Sequence, residues 1–196
     1  MKEKVAVYYG KDVQAKSMFS DHYFGLSPLV IRNLMQWHLI PQLRRPATLG
    51  NIKELKVTAG FRDKELIGNL ENLIQANYGY LLFRSIEKAK CDLSSHDTSH
   101  IKFHDYGICI DELLSRTEFE GMIREKAAAI DTCINSTLAD AGLGITDIDV
   151  VFLTGGSSYI PLTRGLFEKR LGKERIRSGN AFTSVAFGLG LYGGLM

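Results

Sequence analysis

Apolar residues recur with helical spacing over two stretches in the first half of the chain. From residue 66 to 94 they fall three or four positions apart, which predicts one long helix, although Gly79 lies inside it. A shorter helix is predicted over 27–38, where Ser27 can cap the start and Pro28 suits the first turn. The first half is therefore predicted to be largely helical.

A third helical stripe runs from residue 117 to about 141. Thr117 is followed three residues later by Glu120, the spacing of a capping box, and Gly142 predicts the end of the helix. Its predicted buried face consists of Phe119, Met122, Ile123, Ala127, Ile130, Cys133, Ile134, Leu138 and Ala141.

Strand-like patterns lie before and after this helix. Strands are predicted at 4–9, in a hairpin over 99–111 that turns near Asp105, at 148–153 and near 175–177; two more helices are predicted at 161–171 and from Thr183. The last eighty or so residues thus alternate helix and strand, which indicates an α/β layout, while the middle of the chain indicates a second, inserted lobe.

Composition narrows the function classes only slightly. The net charge of +2 gives no argument for nucleic acid or a membrane surface, and no apolar run approaches the roughly 20 residues of a membrane span. Three isolated cysteines fit reduced thiols in the cytoplasm. His96, His100 and His104 recur every four residues, but the polar residues among them favour a solvated connector over a metal site.

Two glycines end the strand predicted at 148–153. Gly155 and Gly156 allow a ligand or another backbone to come close, and Ser157 and Ser158 can cap the following helix. The same pattern also suits a plain connector that needs a positive φ, and the turn alone does not choose between the two.

The helix predicted to reach residue 94 carries four polar side chains at i, i+3, i+4 and i+7: Glu87, Lys90, Cys91 and Ser94. Such residues share one helix face, where a carboxylate can accept from sugar hydroxyls and an ammonium can donate to ring nitrogens or phosphate. The alternative is a solvated face with a Glu–Lys pair.

Several segments together resemble a known family. Residues 87–94 read Glu-Lys-Ala-Lys-Cys-Asp-Leu-Ser, residues 149–161 read Asp-Val-Val-Phe-Leu-Thr-Gly-Gly-Ser-Ser-Tyr-Ile-Pro, and residues 179–193 form a small-residue segment that opens with Gly-Asn. In this order and spacing they resemble the nucleotide-binding domain of the seventy-kilodalton heat-shock (DnaK-type) chaperones, in the actin and sugar-kinase ATPase superfamily. Residues 7–12 and 35–43, with Phe182 to Val185, resemble a divergent bacterial chaperone-like branch.

The resemblance implies the second lobe of an actin-like (ribonuclease H-like) ATPase. It implies an upper α+β subdomain at 9–116, inserted into a lower α/β subdomain made of 1–8 and 117–196. It also implies ATP or ADP as the ligand. Glu87, Lys90, Cys91 and Ser94 would face ribose and adenine from one side, and Gly155, Gly156, Ser157 and Tyr159 from the other.

The chain departs from the family pattern at several of these positions. Many members carry stacking arginines where this chain has Cys91 and Tyr159, an acidic residue where it has Phe182, and a glycine where it has Lys11. We therefore expect adenosine binding that is weaker or altered. Tyr159 could stack in place of a guanidinium.

The phosphate loops of the family, of the Asp-x-Gly-Thr type, are absent from residues 1–196. This chain alone is therefore not expected to hydrolyse ATP efficiently. An N-terminal ATPase lobe that carries the phosphate loops is expected on an upstream segment of roughly 200 residues. Mg²⁺ would be needed only together with that lobe. We assign no catalytic and no metal-binding residue. Expected partners are that lobe and a nucleotide-exchange factor or co-chaperone. Two alternatives are a non-hydrolysing protein-interaction module of the same fold and an unrelated α/β protein.

Overall fold

The chain divides into two units, each with its own buried apolar cluster. The computed structural model describes residues 2–18, 20–179 and 184–194. The first unit comprises Met1–Asp92 and Thr98–Ser115, and the second comprises Leu93–Asp97 and Arg116–Met196. The sequence predicts a lower subdomain that includes residues 1–8, whereas here this segment belongs to the first unit; the subdomain assignment stays a prediction.

The first unit is mainly helical with two small antiparallel hairpins. Its helices are α1 (Lys2–Ala6), α2 (Pro28–Leu34), α3 (Pro46–Thr58), α4 (Phe61–Ala76) and α5 (Gly79–Asp92), with 3-10 helices at Val7–Tyr9 and Trp37–Arg44. Its strands are β1 (Gln14–Lys16), β2 (Tyr23–Gly25), β3 (Thr98–Asp105) and β4 (Ile108–Ser115). Helix α3 and the β1–β2 hairpin are not among the elements predicted from the pattern.

Helices α4 and α5 supply much of the core of this unit. Ile67, Leu70, Leu73 and Ile74 of α4 are fully buried, and they join Leu82, Ile86 and Ala89 of α5 in one apolar cluster. Such burial contributes roughly 1.5–3 kcal/mol per large aliphatic side chain, which fixes the orientation of both helices. The polar residues of α5 are therefore held on the opposite, solvated face.

The predicted hairpin over 99–111 is confirmed and is longer than expected. Strands β3 and β4 pair from Thr98 with Ser115 to Asp105 with Ile108. The two turn residues, Tyr106 and Gly107, have φ values of 53° and 75°. Positive φ at both central positions matches the twist of a two-residue hairpin loop, and Gly107 adopts it without strain.

The prediction of a strand at 4–9 is wrong, because this segment is helical. Val5, Ala6 and Tyr9 are buried whereas Val7 is 39% exposed, so burial follows a helical spacing rather than strand alternation. A short apolar run fits either period, and packing against the first unit decides in favour of the helix.

The single helix predicted over 66–94 is in fact two helices. Asn77 adopts a left-handed conformation with φ of 57°, which ends α4, and α5 begins at Gly79. A Cβ atom at Gly79 would lie 2.6 Å from Ile40 Cδ1, so the glycine permits close packing at this junction. The helix predicted over 27–38 starts as expected, with Ser27 Oγ accepting from the Val30 amide at 3.4 Å, but α2 ends at Leu34.

The second unit alternates helix and strand, as predicted. It contains α6 (Arg116–Asp140), β5 (Val151–Leu153), α7 (Pro161–Leu171), β6 (Ile176–Ser178) and α8 (Ser184–Gly193), with short 3-10 helices at Ile145–Asp147, Gly156–Tyr159 and Lys173–Arg175. Strands β5 and β6 are parallel and are joined through α7, a βαβ arrangement. The predicted contributions of Asn180, Phe182 and Thr183 lie outside the described residues.

Most residues of the face predicted to be buried on α6 are partly or largely exposed. Phe119 and Ala127 are buried, but Met122 is 46% exposed and Cys133 is also exposed. Helix α7 packs against α6 and covers only part of this stripe. In the described part of the chain, no helix combines the length and the apolar character that crossing a membrane requires.

Candidate nucleotide-contacting segments

The C-terminal half of α5 carries three of the residues expected to meet a nucleotide. Lys90 Nζ donates to both carboxylate oxygens of Glu87, at 3.0 and 2.9 Å, and Cys91 is exposed on the next turn. The Glu87 side chain is 55% exposed, so the pair is open to solvent and contributes little to stability. A carboxylate in this situation keeps lone pairs for hydroxyl or amine donors.

Ser94 does not lie on this helix, because α5 ends at Asp92 and Ser94 occupies the turn that follows. Arg116, at the start of α6, donates from Nε to the Leu93 carbonyl at 2.9 Å and pairs with Asp97 at 2.9 Å. These contacts fix the turn that carries Ser94. This positioning role of Arg116 is not evident from the sequence, since Arg116 and the turn are more than 15 residues apart along the chain.

The first glycine of the turn after β5 has a backbone conformation that other residues rarely adopt. Gly155 has φ of 83°, and a Cβ atom built there would meet nothing within 4 Å. The open space agrees with the approach of a ligand, and the positive φ agrees with a connector that requires glycine. Both interpretations of the sequence therefore remain. Gly156 begins the 3-10 helix that contains Ser157 and Tyr159, and Tyr159 is 44% exposed.

Neither serine caps α7, contrary to the expectation from the sequence. Helix α7 begins at Pro161. Its N-cap residue is Ile160, whose apolar side chain cannot accept a hydrogen bond from the first turn. Ser158 is buried, and its hydroxyl donates to the Gly155 carbonyl at 2.7 Å. Its hydroxyl therefore stabilises the glycine turn, while the exposed Ser157 stays on the surface of the 3-10 helix.

The expected site residues fall in both units. Glu87, Lys90 and Cys91 belong to the first unit, whereas Ser94 and the segment Gly155–Tyr159 belong to the second. In the first unit these residues lie on one face of α5. In the second unit they lie on a glycine turn whose Gly155 carbonyl accepts a hydrogen bond from Ser158.

A pocket in the first unit contains Glu87 together with residues that are not among the site residues predicted from the sequence. Its volume is about 480 Å³, and it is lined by Gln36, Trp37, His38, Tyr80, Phe83, Arg84 and Glu87. Tyr80, Arg84 and Glu87 recur at i, i+4 and i+7 on α5, a signal that could have linked them. Trp37 and His38 come from the 3-10 helix Trp37–Arg44, which is separated from α5 along the chain by α3 and α4, so that only the tertiary fold brings them to this pocket.

Burial and hydrogen bonding perturb the tyrosines packed near the start of the chain. Tyr8 Oη donates to Glu112 Oε1 at 2.6 Å, and this bond, with partial burial, raises the pKa of Tyr8 to about 12. Burial likewise raises the pKa of Tyr78 to about 12. Burial also raises the pKa of Tyr9, whose hydroxyl has no hydrogen-bond partner of acceptable geometry among the described residues.

One histidine of β3, His100, contacts a carboxylate of the neighbouring strand β4. His100 Nδ1 lies 2.5 Å from Asp111 Oδ1, and this contact is the first cause that holds the pKa of Asp111 below its usual range. Over residues 2–18, 20–179 and 184–194, no three His, Cys, Asp or Glu side chains converge in a way that could hold a metal ion.

Comparison with known proteins points to one family. Residues 64–196 match the family described as "Hsp70 protein". The chain is similar to the chaperone protein DnaK of Mycoplasmopsis agalactiae, with 32% identity over 151 residues, covering 68% of this chain and 25% of the relative. DnaK of Mycoplasmopsis synoviae gives 30% identity over 150 residues, with the same coverage of each chain.

A plant protein shows a comparable similarity. The stromal 70 kDa heat shock-related protein of Pisum sativum chloroplasts is 33% identical over 121 residues, covering 59% of this chain and 17% of the relative. The chain thus spans about a quarter or less of the length of these relatives. The match over 64–196 covers more than half of the chain and includes both the α5 face and the glycine turn, and the chain therefore belongs to the Hsp70 family.

Proposed function

We propose that this chain is the adenine-nucleotide-binding lobe of a chaperone-like ATPase. The observation that carries the proposal is the family match over residues 64–196, which includes Glu87 on α5 and Gly155 after β5. We assign the chain to the second lobe of the actin-like fold, with an upper subdomain at 9–116 and a lower one at 1–8 and 117–196. ATP and ADP are the proposed ligands.

On α5, the proposed contacts are to ribose and adenine. Glu87 accepts from the ribose hydroxyls, and Lys90 donates to the ribose or to a ring nitrogen. Cys91 offers a small soft contact, and Ser94 reaches the base from the turn fixed by Arg116. The exposure of the Glu87–Lys90 pair supports this assignment, because neither group is sealed off by the protein.

In the second unit, most of the proposed contacts are made by main-chain atoms at the two glycines. Gly155 and Gly156 let the base and the α-phosphate approach main-chain atoms, which the open space at Gly155 supports. Ser157 donates from its hydroxyl, and Tyr159 stacks on the base.

Phosphoryl transfer needs groups that this chain does not contain. Positioning of the γ-phosphate and of Mg²⁺ depends on phosphate loops and charged residues, and residues 1–196 carry no such loop. We propose that a separate lobe supplies them, that a nucleotide-exchange factor or co-chaperone binds the upper subdomain, and that the protein acts in the cytoplasm. A shift of the chain in size-exclusion chromatography with such a factor tests the partner, and cell fractionation tests the location.

Isothermal titration calorimetry with ATP, ADP and adenosine tests the nucleotide-binding proposal. We expect heat from all three ligands. Glu87→Ala should weaken binding about tenfold, since a hydrogen bond to a charged group contributes about 1.5–3 kcal/mol. Tyr159→Ala should weaken it by a similar factor through lost stacking.

Lys88→Ala is the matched control, because Lys88 is exposed on the same helix and is not one of the proposed contacts. It should bind as the unaltered chain does. The proposal fails if no adenine ligand gives heat, or if the Glu87→Ala/Tyr159→Ala double variant binds with undiminished affinity. That second result would favour the interaction-module alternative.

A further inference from the structure

The pocket lined by Trp37 and Tyr80 has aromatic walls that are open to solvent. Trp37 is 48% exposed and Tyr80 is 57% exposed, whereas Phe83 is only 7% exposed and closes the floor. The centroids of the Trp37 and Tyr80 rings are 5.7 Å apart, and their planes are inclined at 72°. An aromatic side chain that enters this pocket can stack on one wall while its edge meets the other, and aromatic pairs favour both arrangements.

The first unit also carries an aromatic side chain that leaves nearly all of its surface in water. Phe61, the first residue of α4, is 95% exposed, and Val57, near the end of α3, is 62% exposed. Single exposed apolar side chains are common on protein surfaces, but a phenylalanine ring exposed to this degree gains almost nothing from its own fold. We call Phe61 and Val57 the apolar knob.

The apolar knob cannot enter the pocket of its own chain. Helix α4 has 16 residues and is therefore about 24 Å long. Phe61 is its first residue, whereas the pocket forms around Tyr80 in the first turn of α5, which follows the end of α4. Because the knob and the pocket lie at opposite ends of α4, only a second copy of the chain can bring them together.

The charges beside the knob and the pocket are complementary. Glu65 is exposed and lies four residues after Phe61, on the same face of α4. Arg84 is exposed, lies four residues after Tyr80 and lines the pocket. Within the described part of the chain, neither Glu65 nor Arg84 forms an ion pair or a hydrogen bond. Each charge thus lies one helical turn from a ring of the proposed contact and is available to the other.

We propose that copies of this chain associate by inserting Phe61 of one copy into the aromatic pocket of the next, with Glu65 paired to Arg84 across the contact. Such a contact is head-to-tail, because it joins two different surfaces of the same molecule. Each pair of copies keeps one free knob and one free pocket. Association therefore continues beyond the dimer.

This contact goes beyond the proposed function and does not use the residues assigned to the nucleotide. Tyr80 lies seven residues before Glu87, which is about 10 Å along the axis of α5. The inserted ring meets the aromatic end of the pocket and leaves the Glu87–Lys90 pair outside the contact.

Sedimentation velocity over a series of concentrations tests the association. The weight-average mass should rise with concentration and pass that of a dimer. Trp37 is the single tryptophan of the chain, so its emission should shift to shorter wavelength as the inserted ring shields the indole from water. A chain that remains monomeric at roughly 1 mM, where even weak contacts are populated, overturns the proposal.

Two variants that each lack one half of the contact give a sharper test. Phe61→Ala removes the knob and Tyr80→Ala removes one wall of the pocket. Each should raise the dissociation constant about 30-fold or more, as truncation of an aromatic anchor does. Both side chains are more than half exposed, so neither change should unfold the chain. Tyr23→Ala, at a ring that is 70% exposed, is the matched control and should associate as the unaltered chain does.

Mixing the two variants restores a single intact contact. The pocket of Phe61→Ala should bind the knob of Tyr80→Ala with the affinity of the unaltered chain. The mixture should then form dimers with one copy of each variant and nothing larger. A mixture that stays monomeric overturns the proposal, and so does undiminished association of either variant alone.

Reversal of the charges tests the pairing across the contact. Glu65→Arg should weaken association about 2- to 5-fold, because an exposed ion pair contributes little and like charges repel. The double variant Glu65→Arg/Arg84→Glu should regain the affinity of the unaltered chain. A double variant that associates no better than Glu65→Arg alone overturns the proposed pairing.

Discussion

Two neighbouring tyrosines place their hydroxyl groups in opposite situations. Tyr9 is fully buried without a hydrogen-bond partner of acceptable geometry among the described residues, whereas Tyr8 donates to Glu112. Because an unsatisfied buried hydroxyl costs about 1–3 kcal/mol, Tyr9→Phe should leave the free energy of unfolding unchanged or raise it by up to about 1 kcal/mol. Tyr8→Phe should lower it by about 1 kcal/mol. Urea unfolding followed by Trp37 fluorescence measures both; a large loss in Tyr9→Phe would show that its hydroxyl has a partner.

The Tyr8–Glu112 bond also predicts a pH dependence. The pKa of Tyr8 is about 12 in the folded chain, against an ordinary value of 10.0, because the bonded carboxylate disfavours the phenolate. The folded chain therefore holds this proton more tightly, so the stabilisation is complete below pH 10 and is lost as the pH rises towards 12. Between about pH 10 and pH 12, the free energy of unfolding should fall more for the unaltered chain than for Tyr8→Phe. Tyr23→Phe, at a ring that is 70% exposed, should behave as the unaltered chain does; equal losses in all three would contradict the prediction.

Among the elements, two helical glycines form a matched pair. A Cβ atom at Gly50, inside α3, would meet nothing within 4 Å, whereas one at Gly79 would lie 2.6 Å from the buried Ile40. Gly50→Ala should raise the free energy of unfolding by about 0.5–1 kcal/mol, because alanine loses less backbone entropy. Gly79→Ala should lower it by about 1 kcal/mol through overpacking. Thermal unfolding compares the two, and an equal effect at both positions would show that Ile40 moves aside without cost.

The elements that the sequence predicts correctly are those with long, unambiguous patterns. The extent of helix α6 and the pairing of the β3–β4 hairpin agree with their patterns, although only Phe119 and Ala127 of the face predicted to be buried on α6 are buried. The error at 4–9 arises because the five-residue apolar run at 5–9 fits two periods. The break at Asn77 is missed because a polar residue is common within a helix. The same limit applies to the site: Glu87 and Gly155 are visible as local motifs, but Trp37 meets Tyr80 only through the tertiary fold.

At the scale of the whole molecule, the described residues of the two units differ in how large an apolar cluster they form. The described core of the first unit draws on α1 to α5 and the β3–β4 hairpin. In the second unit, a smaller cluster contains Leu153, Leu171 and Ile176, whereas Met122 and Phe152 are 46% and 60% exposed. Local stability follows buried apolar contact, so amide hydrogens of α4 and α5 should exchange more slowly than those of α6 and α7. Hydrogen exchange followed by mass spectrometry tests this, and slower exchange in α6 would contradict it.

The ring of Tyr78 stacks with two others, at 5.5 Å from Phe103 and 4.3 Å from Tyr106, with interplanar angles of 19° and 10°. Ring currents from both neighbours should shift its ring protons upfield in a proton NMR spectrum. Since the stack leaves little room for rotation, its two edges should give separate signals. Because Tyr106 belongs to the hairpin turn and Tyr78 to the junction before α5, this one resonance pattern would report whether turn and helix remain in contact, and Tyr106→Ala should collapse it.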